Sequence, residues 1–346
     1  MTHKSGLAAL WALLLFSTAP LADEGPVVLG AVISLTGEGA DHGLAVAEGL
    51  NAAVAAVNEE GGVLVAGVLH PLVLEIMDDR GSTYRAVALA EVLVWRRGVS
   101  MFLGGGNPER TRAIARTAAG LQRPTLDLHG LFYGDDLAGF SYSVAPSIDS
   151  HAAVAMTAVM LGYHMAGTVV SNISAQAIAS DSYMREVLTR SIATSGFGSV
   201  QEPGRLQLVA PGSAQAIEGD PAVLVALSCL DGELLKAADP DRIVLCVDHW
   251  PFPRVLPEWF AALDGPIARE AAIMALVARA VIERARSTHG LVLADVLGAS
   301  DFLTFAGPVN MSQGTNAALP ARLFAVTLSG LAPLDMADPL ALGIVE

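Results

Sequence analysis

Gly37, Gly39 and Gly43 sit in the stretch SLTGEGADHG, just after the apolar run VVLGAVI, where a strand gives way to a helix. Glycines at such a junction could cradle a phosphate, and a dinucleotide-binding loop spaces them as G-x-G-x-x-G. Here the third glycine falls one place late, at Gly43, and Glu38 and Asp41 within the loop would repel a diphosphate. A P-loop is missing too, since no Gly-Lys-Ser/Thr occurs and Lys4 and Lys236 are the only lysines. There is no G-x-S-x-G nucleophile turn, no C-x-x-C pair and no H-E-x-x-H helix, and the eight histidines are scattered. These residues point to binding rather than catalysis, with no metal and no cofactor. An exported enzyme assembled from the scattered carboxylates and histidines is the remote alternative.

The chain opens MTHKSGLAALWALLLFSTAPLADEG, with His3 and Lys4 ahead of an apolar run from Leu7 to Phe16 and small residues ending near Ala22. That order predicts a secretory signal peptide over residues 1–22, cleaved near Ala22, because the run is about half of the roughly 20 residues a spanning helix needs. No later segment reaches spanning length without charge or glycine, so direct membrane insertion is not expected despite a composition that is 53% hydrophobic. The formal charge of −15 gives no electrostatic basis for wrapping nucleic acid. Cys229 and Cys246 end two successive strand-like runs, AVLVALSC and RIVLC. In neighbouring parallel strands of an exported protein they could form a disulfide; two buried thiols are the other reading.

The elements that must position any site alternate almost without break. VVLGAVI, a helix near 42–59, LVLEIM, a helix near 83–97, SMFLGG, a helix near 108–120 and RPTLDL form one series. After FSYSVAPS comes a second: a helix near 149–162, GTVVSNI, a helix near 181–195, SVQEPGRLQLV, AVLVALSC, a short helix near 231–238 and RIVLCVD. Such alternation predicts βαβ units and two parallel sheets. The stretch HWPFPRVLPEW at 249–259 breaks it and reads as a link, followed by one long helix, AREAAIMALVARAVIERARSTHG, and the strand-like pieces GPVNM and RLFAVTL.

One resemblance covers nearly the whole mature chain. Thr36-Gly37 after the first strand, Gly43 six residues on, Asn58 with Gly61-Gly62 after it, and Asp78-Asp79 ending the next strand are similar to the type I periplasmic binding proteins that serve ABC importers of branched-chain amino acids and amides. FLGGGNPE, RPTLDLHG, YSVAPSIDS and the late FAGPVN and PARLFAVTLSG continue the likeness. It implies an α/β fold of two Rossmann-like lobes with parallel sheets, joined by three crossovers and closing on a ligand like a hinge. The implied lobes are 26–146 with 252–318, and 147–251 with 319–346.

In such a fold the loops at the carboxyl ends of the strands face the cleft. Asn107 starts a helix with Pro108 behind it, and is either a cap or a ligand contact. The family's two carboxylate-binding hydroxyls align with Pro108 and Leu131, which cannot donate from their side chains, so Asp127, His129 and the Gly130 N–H are the candidates to replace them. The aromatic residue that covers the ligand aligns with His42, which could stack on it, bond to it or remain a solvated loop residue. From the second lobe Tyr183, in DSY, would reach the cleft, and Asp248, in LCVDHW, falls where the family holds the ligand's ammonium; a turn residue is its other reading. The implied function is an exported, monomeric, periplasmic protein that captures a small amino acid or amide for an ABC permease. The same fold used as a sensor module for a signalling system is the alternative.

Overall fold

The computed structural model describes residues 25–37, 39–128, 137, 139–145, 148–165, 172–176, 198–199, 206–209, 223–226, 229, 242–248, 256–304, 307–312, 314–317, 322–327 and 330–334. The expected signal peptide, His129, Tyr183 and the helices expected near 181–195 and 231–238 lie outside them.

The first strand, β1 (Val27–Ile33), is buried almost throughout, as the apolar run VVLGAVI requires of a central parallel strand. It leads into α1 (Ala40–Glu59), a hairpin of β2 (Val63–Val65) and β3 (Val68–His70), and then β4 (Leu72–Asp78). There follow α2 (Thr83–Arg97), β5 (Met101–Leu103), α3 (Pro108–Gly120), β6 (Thr125–Asp127) and β7 (Ser141–Ser143). Helix α2 starts where Ser82 accepts the Arg85 N–H and stops where Gly98 turns left-handed, the cap and stop that its sequence announces. The five longer-range strands form one all-parallel sheet in the order β4-β1-β5-β6-β7.

The chain then passes through α4 (Ile148–Met165) to β8 (Asn172–Gln176), β9 (Gly198–Ser199), β10 (Leu206–Val209), β11 (Val223–Ala226) and β12 (Ile243–Asp248). It returns to the first sheet with α5 (Glu258–Ala261), α6 (Gly265–Ala285), α7 (Gly290–Ala299) and the hairpin β13 (Asp301–Thr304) with β14 (Gly307–Asn310). A third passage delivers β15 (Arg322–Thr327) and β16 (Gly330–Leu334) to the second sheet, whose order is β16-β15-β12-β11-β10-β8-β9. This is the expected α/β architecture with three crossovers. Among the described residues no helix is long and apolar enough to cross a membrane.

Helices sandwich the first sheet. On β1, Leu29, Ala31 and Ile33 join the large core under α1 and α6, while Val28 and Val32 face the smaller core under α2 and α3. The pairing of α1 with α6 is so close that a Cβ on Gly49 would stand 1.8 Å from the Ala268 carbonyl oxygen. In the second sheet Cys229 and Cys246 are joined by a disulfide with their Cα atoms 5.2 Å apart, which decides between the two readings of that pair. Both cysteines are buried among Leu224, Val244 and Phe324.

Three local expectations change. The second sheet is mixed, because β15 runs antiparallel to β12 and carries β16 with it. The run SVQEPGRLQLV begins in one strand, β9, and ends in another, β10, and these lie on opposite sides of β8. The long helix after the link stops at Ala285, where Arg286 turns left-handed at φ 52°, and α7 starts afresh at Gly290.

Candidate functional site

Numbered by chain order, the parallel strands of the first sheet run 2-1-3-4-5, and so do β9-β8-β10-β11-β12 of the second. In a doubly wound sheet of this order the crevice for a ligand opens beyond the carboxyl ends of the strands where the order reverses. In the first sheet that point lies between β1 and β5. The segments issuing there are Ser34–Gly37 and Gly104–Asn107.

The first of these segments is bound down by Asp78, which ends β4, and by Asp79 just after it. Asp78 Oδ1 accepts the N–H groups of Leu35, Thr36 and Arg80, and its Oδ2 accepts Thr36 Oγ1 at 2.6 Å. Burial pushes the Asp78 carboxyl up, but the Thr36 hydroxyl and the three N–H groups outweigh it and hold the group at about 2. Asp79 Oδ1 accepts Ser34 Oγ at 2.7 Å and the Gly81 N–H at 2.8 Å. Arg110, from the first turn of α3, closes the cluster: Nη2 donates to Ser34 Oγ, Nη1 to the Gly81 carbonyl, and Nε lies 3.2 Å from Asp79 Oδ2. Above this anchor α1 comes down onto the loop, and a Cβ on Gly43 would stand 1.9 Å from the Ser34 carbonyl oxygen. A larger residue there would lift the helix start off the site.

His42 is buried, in the first turn of α1, with Nε2 2.5 Å from the Gly105 carbonyl oxygen. A carbonyl can only accept, so Nε2 carries the proton, and the contact ties the start of α1 to the β5 loop across the switch point. Asn107 caps α3: its Oδ1 accepts the N–H groups of Glu109 and Arg110, and its carbonyl accepts that of Thr111. Pro108 has no N–H. The Asn107 side chain thereby takes two of the donors with which this helix start could hold a carboxylate, those of Glu109 and Arg110. Asp127 ends β6 with no exposed surface, and its carbonyl accepts the Val144 N–H and Ser143 Oγ.

Residues 26–210 match the model of a family described as periplasmic binding protein. The chain belongs to that family. No curated protein matches the sequence. The likeness of periplasmic binding proteins extends through the structure. A leucine binding protein from Thermotoga maritima aligns over 89% of this chain and 98% of its own at 15% identity, with a TM-score of 0.61. A branched-chain amino acid ABC transporter structure from Thermus thermophilus with bound valine covers 90% of this chain and 96% of its own at 15% identity, TM-score 0.66. An ABC transporter solute binding protein from R. palustris in complex with benzoate covers 91% and 97% at 16% identity, TM-score 0.63. At such identities the likeness is one of fold.

Within this periplasmic binding protein fold, His42 and Asn107 come together at the β1–β5 switch point, and Asp127 ends the next strand beyond β5. Asp248 is the last residue of β12, at the carboxyl edge of the second sheet, directly across from Arg322 of β15. Sequence reasoning missed Arg110 and Ser34 as parts of the site, and took Asp78-Asp79 only as a likeness. The available signal was an arginine three places past the Asn107 cap, on the helix after β5, in a chain whose β4 runs into a paired aspartate.

Proposed function

We propose that this periplasmic binding protein captures a small polar solute bearing an amino or amide group between two lobes, and presents it to an ABC permease in the inner membrane. The lobes are 26–146 with 252–318 and 147–251 with 319–346, and the chain is exported to the periplasm with cleavage near residue 22. The observation that carries the reading is the β1–β5 switch point, where one loop is fixed by Asp78 and Asp79 and the other by His42 and Asn107. A preformed wall of this kind lowers the ordering cost of binding.

Hinge closure is supported by the first and third crossovers, which start side by side. Ser143 N–H donates to the Gly314 carbonyl, and Asn316 N–H to that of Ala145, so the first and third passages are hydrogen-bonded before they separate. On the first-lobe side the solute lies against the segments that carry His42, Asn107, Asp127 and His129; on the second it meets Tyr183 and Asp248. At the start of α3 the Glu109 and Arg110 N–H groups are taken by Asn107 and Pro108 has none, which argues against an α-carboxylate held there, and Asp248 favours a cationic nitrogen.

A thermal-shift panel of amino acids, amides and small carboxylates on the mature protein tests this. A ligand at 100 times its dissociation constant stabilises by about 2.7 kcal/mol. The expected result is one chemical class that raises the melting temperature and is recovered unchanged. Silence across all three classes, or consumption of the ligand, would refute the proposal.

A further inference from the structure

Solute capture leaves unused two surfaces on opposite sides of the first sheet. On α2, Tyr84, Ala88, Val92 and Trp95 follow one another at helical spacing on the side away from the core. Tyr84 is 88% exposed and Trp95 73%. The chain is acidic overall, yet eight of its 18 arginines lie between residues 80 and 123, with Glu91 and Glu109 the only acids there. Arg85, Arg96 and Arg97 of α2 and Arg112 and Arg116 of the adjoining α3 are exposed.

On the far side, α1 and α6 enclose a groove of about 300 Å³ with an apolar lining of Ala56, Val57, Leu276, Ala280 and Leu303, flanked by Trp259. Its polar groups answer one another: Arg279 is bonded to both Glu60 and Glu283. A polar small molecule would find little to bond with, whereas an apolar side chain would fit. Leu303 is 81% exposed at the lip, and Leu64 and Leu69 are exposed on the neighbouring hairpin, whose Leu64 N–H donates to Glu283. Exposed Glu59 and Glu258 add to the negative rim.

In place of the monomer that the family resemblance implies, we propose that a second copy of this chain docks head to tail, with Trp95 of one copy entering the α1–α6 groove of the next and Arg96 meeting the glutamate rim, beside Arg97, which also lies 3.8 Å from Glu75. The charges decide against a symmetric arrangement, since basic α2–α3 faces would repel each other. Tryptophan flanked by arginines is also the composition that concentrates binding energy at protein interfaces. The two surfaces lie on opposite faces of one sheet, so the contact is heterologous and extends into a chain.

Sedimentation velocity on the mature protein tests this, at protein concentrations up to about 1 mM and at about 20 mM and 0.5 M salt. The wild type should self-associate at low salt and dissociate at high salt. Trp95→Ala and Leu303→Lys, both at exposed positions, should each weaken association at least about tenfold. Trp95→Ala keeps an intact groove and Leu303→Lys an intact α2, so an equimolar mixture should form a dimer and nothing larger. A wild type that stays monomeric throughout would overturn the proposal, as would an associating wild type whose variant mixture gives no dimer. Pelleting with anionic but not zwitterionic vesicles, without self-association, would overturn it in favour of a lipid surface as the occupant.

Discussion

Arg110 and Asp79 form an ion pair across the first sheet, Nε to Oδ2 at 3.2 Å, with side chains only 10% and 1% exposed. Removing one partner strands the other charge out of water, which commonly costs about 3–5 kcal/mol. Arg110→Ala and Asp79→Ala should each lower the unfolding free energy by about that amount, and because Ser34 bonds to both, their effects should be less than additive. Chemical unfolding of the two single variants and the double variant measures this; additive losses would mean the pair does not act as a unit.

Asp78 makes a separate, pH-dependent contribution. Its pKa is depressed from 3.8 to about 2, so the stability it provides is present above pH 4 and is lost as the pH falls through that window. Other carboxylates titrate there as well, and comparison with Asp78→Asn isolates this one. The melting temperature of the wild type should fall more steeply between pH 4 and 2 than that of the variant. Parallel curves would show that the Thr36 and backbone bonds do not favour the ionised form.

What the sequence made legible follows from where its signals are local. Ser82 and Gly98 bracket α2, and Asn107-Pro108 starts α3, so both helices are visible at their true limits. The end of α6 carries no such stop: the residue that turns left-handed is Arg286, not glycine or asparagine, and the helical reading runs on past it. Helix α7, GLVLADVLGA, is apolar nearly all round and shows no single face. For the site, the order of loops could be read but not the bonds among them. Arg110 sits in the run RTR, where nothing local separates the buried arginine from its exposed neighbour Arg112. Only the register of β1 against β4, pairing Ile33 with Asp78, brings Asp79 to Ser34 and gives Arg110 its partner.

The disulfide joins cysteines 17 residues apart in sequence, and closing a loop near that size stabilises by about 3 kcal/mol in the chain-entropy account. A Cys229→Ser, Cys246→Ser double variant should unfold that much more easily in denaturant, with ligand affinity within about threefold of the parent, since the bridge lies in the core of the second sheet. Unchanged stability would mean that the thiols are not bridged in the protein.

Asp248 separates two roles at the carboxyl edge of β12. As the partner of a cationic ligand group it should matter to binding and little to the empty fold, so Asp248→Asn should weaken affinity by at least about thirty-fold. Arg322 stands directly across from it on β15. If that arginine is instead its partner, Asp248→Asn and Arg322→Ala should lower the melting temperature of the empty protein together and leave affinity within about threefold. Calorimetric titration and thermal unfolding of both variants distinguish the two.

The central claim is that two lobes close on a small solute, and small-angle X-ray scattering tests it most directly. The mature protein is measured alone and then saturated with whichever compound the thermal-shift panel selects, with occupancy fixed by calorimetry. Closure makes contacts to both lobes available only in the compact state, so the ligand shifts the population toward it. The account predicts a smaller radius of gyration in the saturated sample; an unchanged radius at proven occupancy would contradict it.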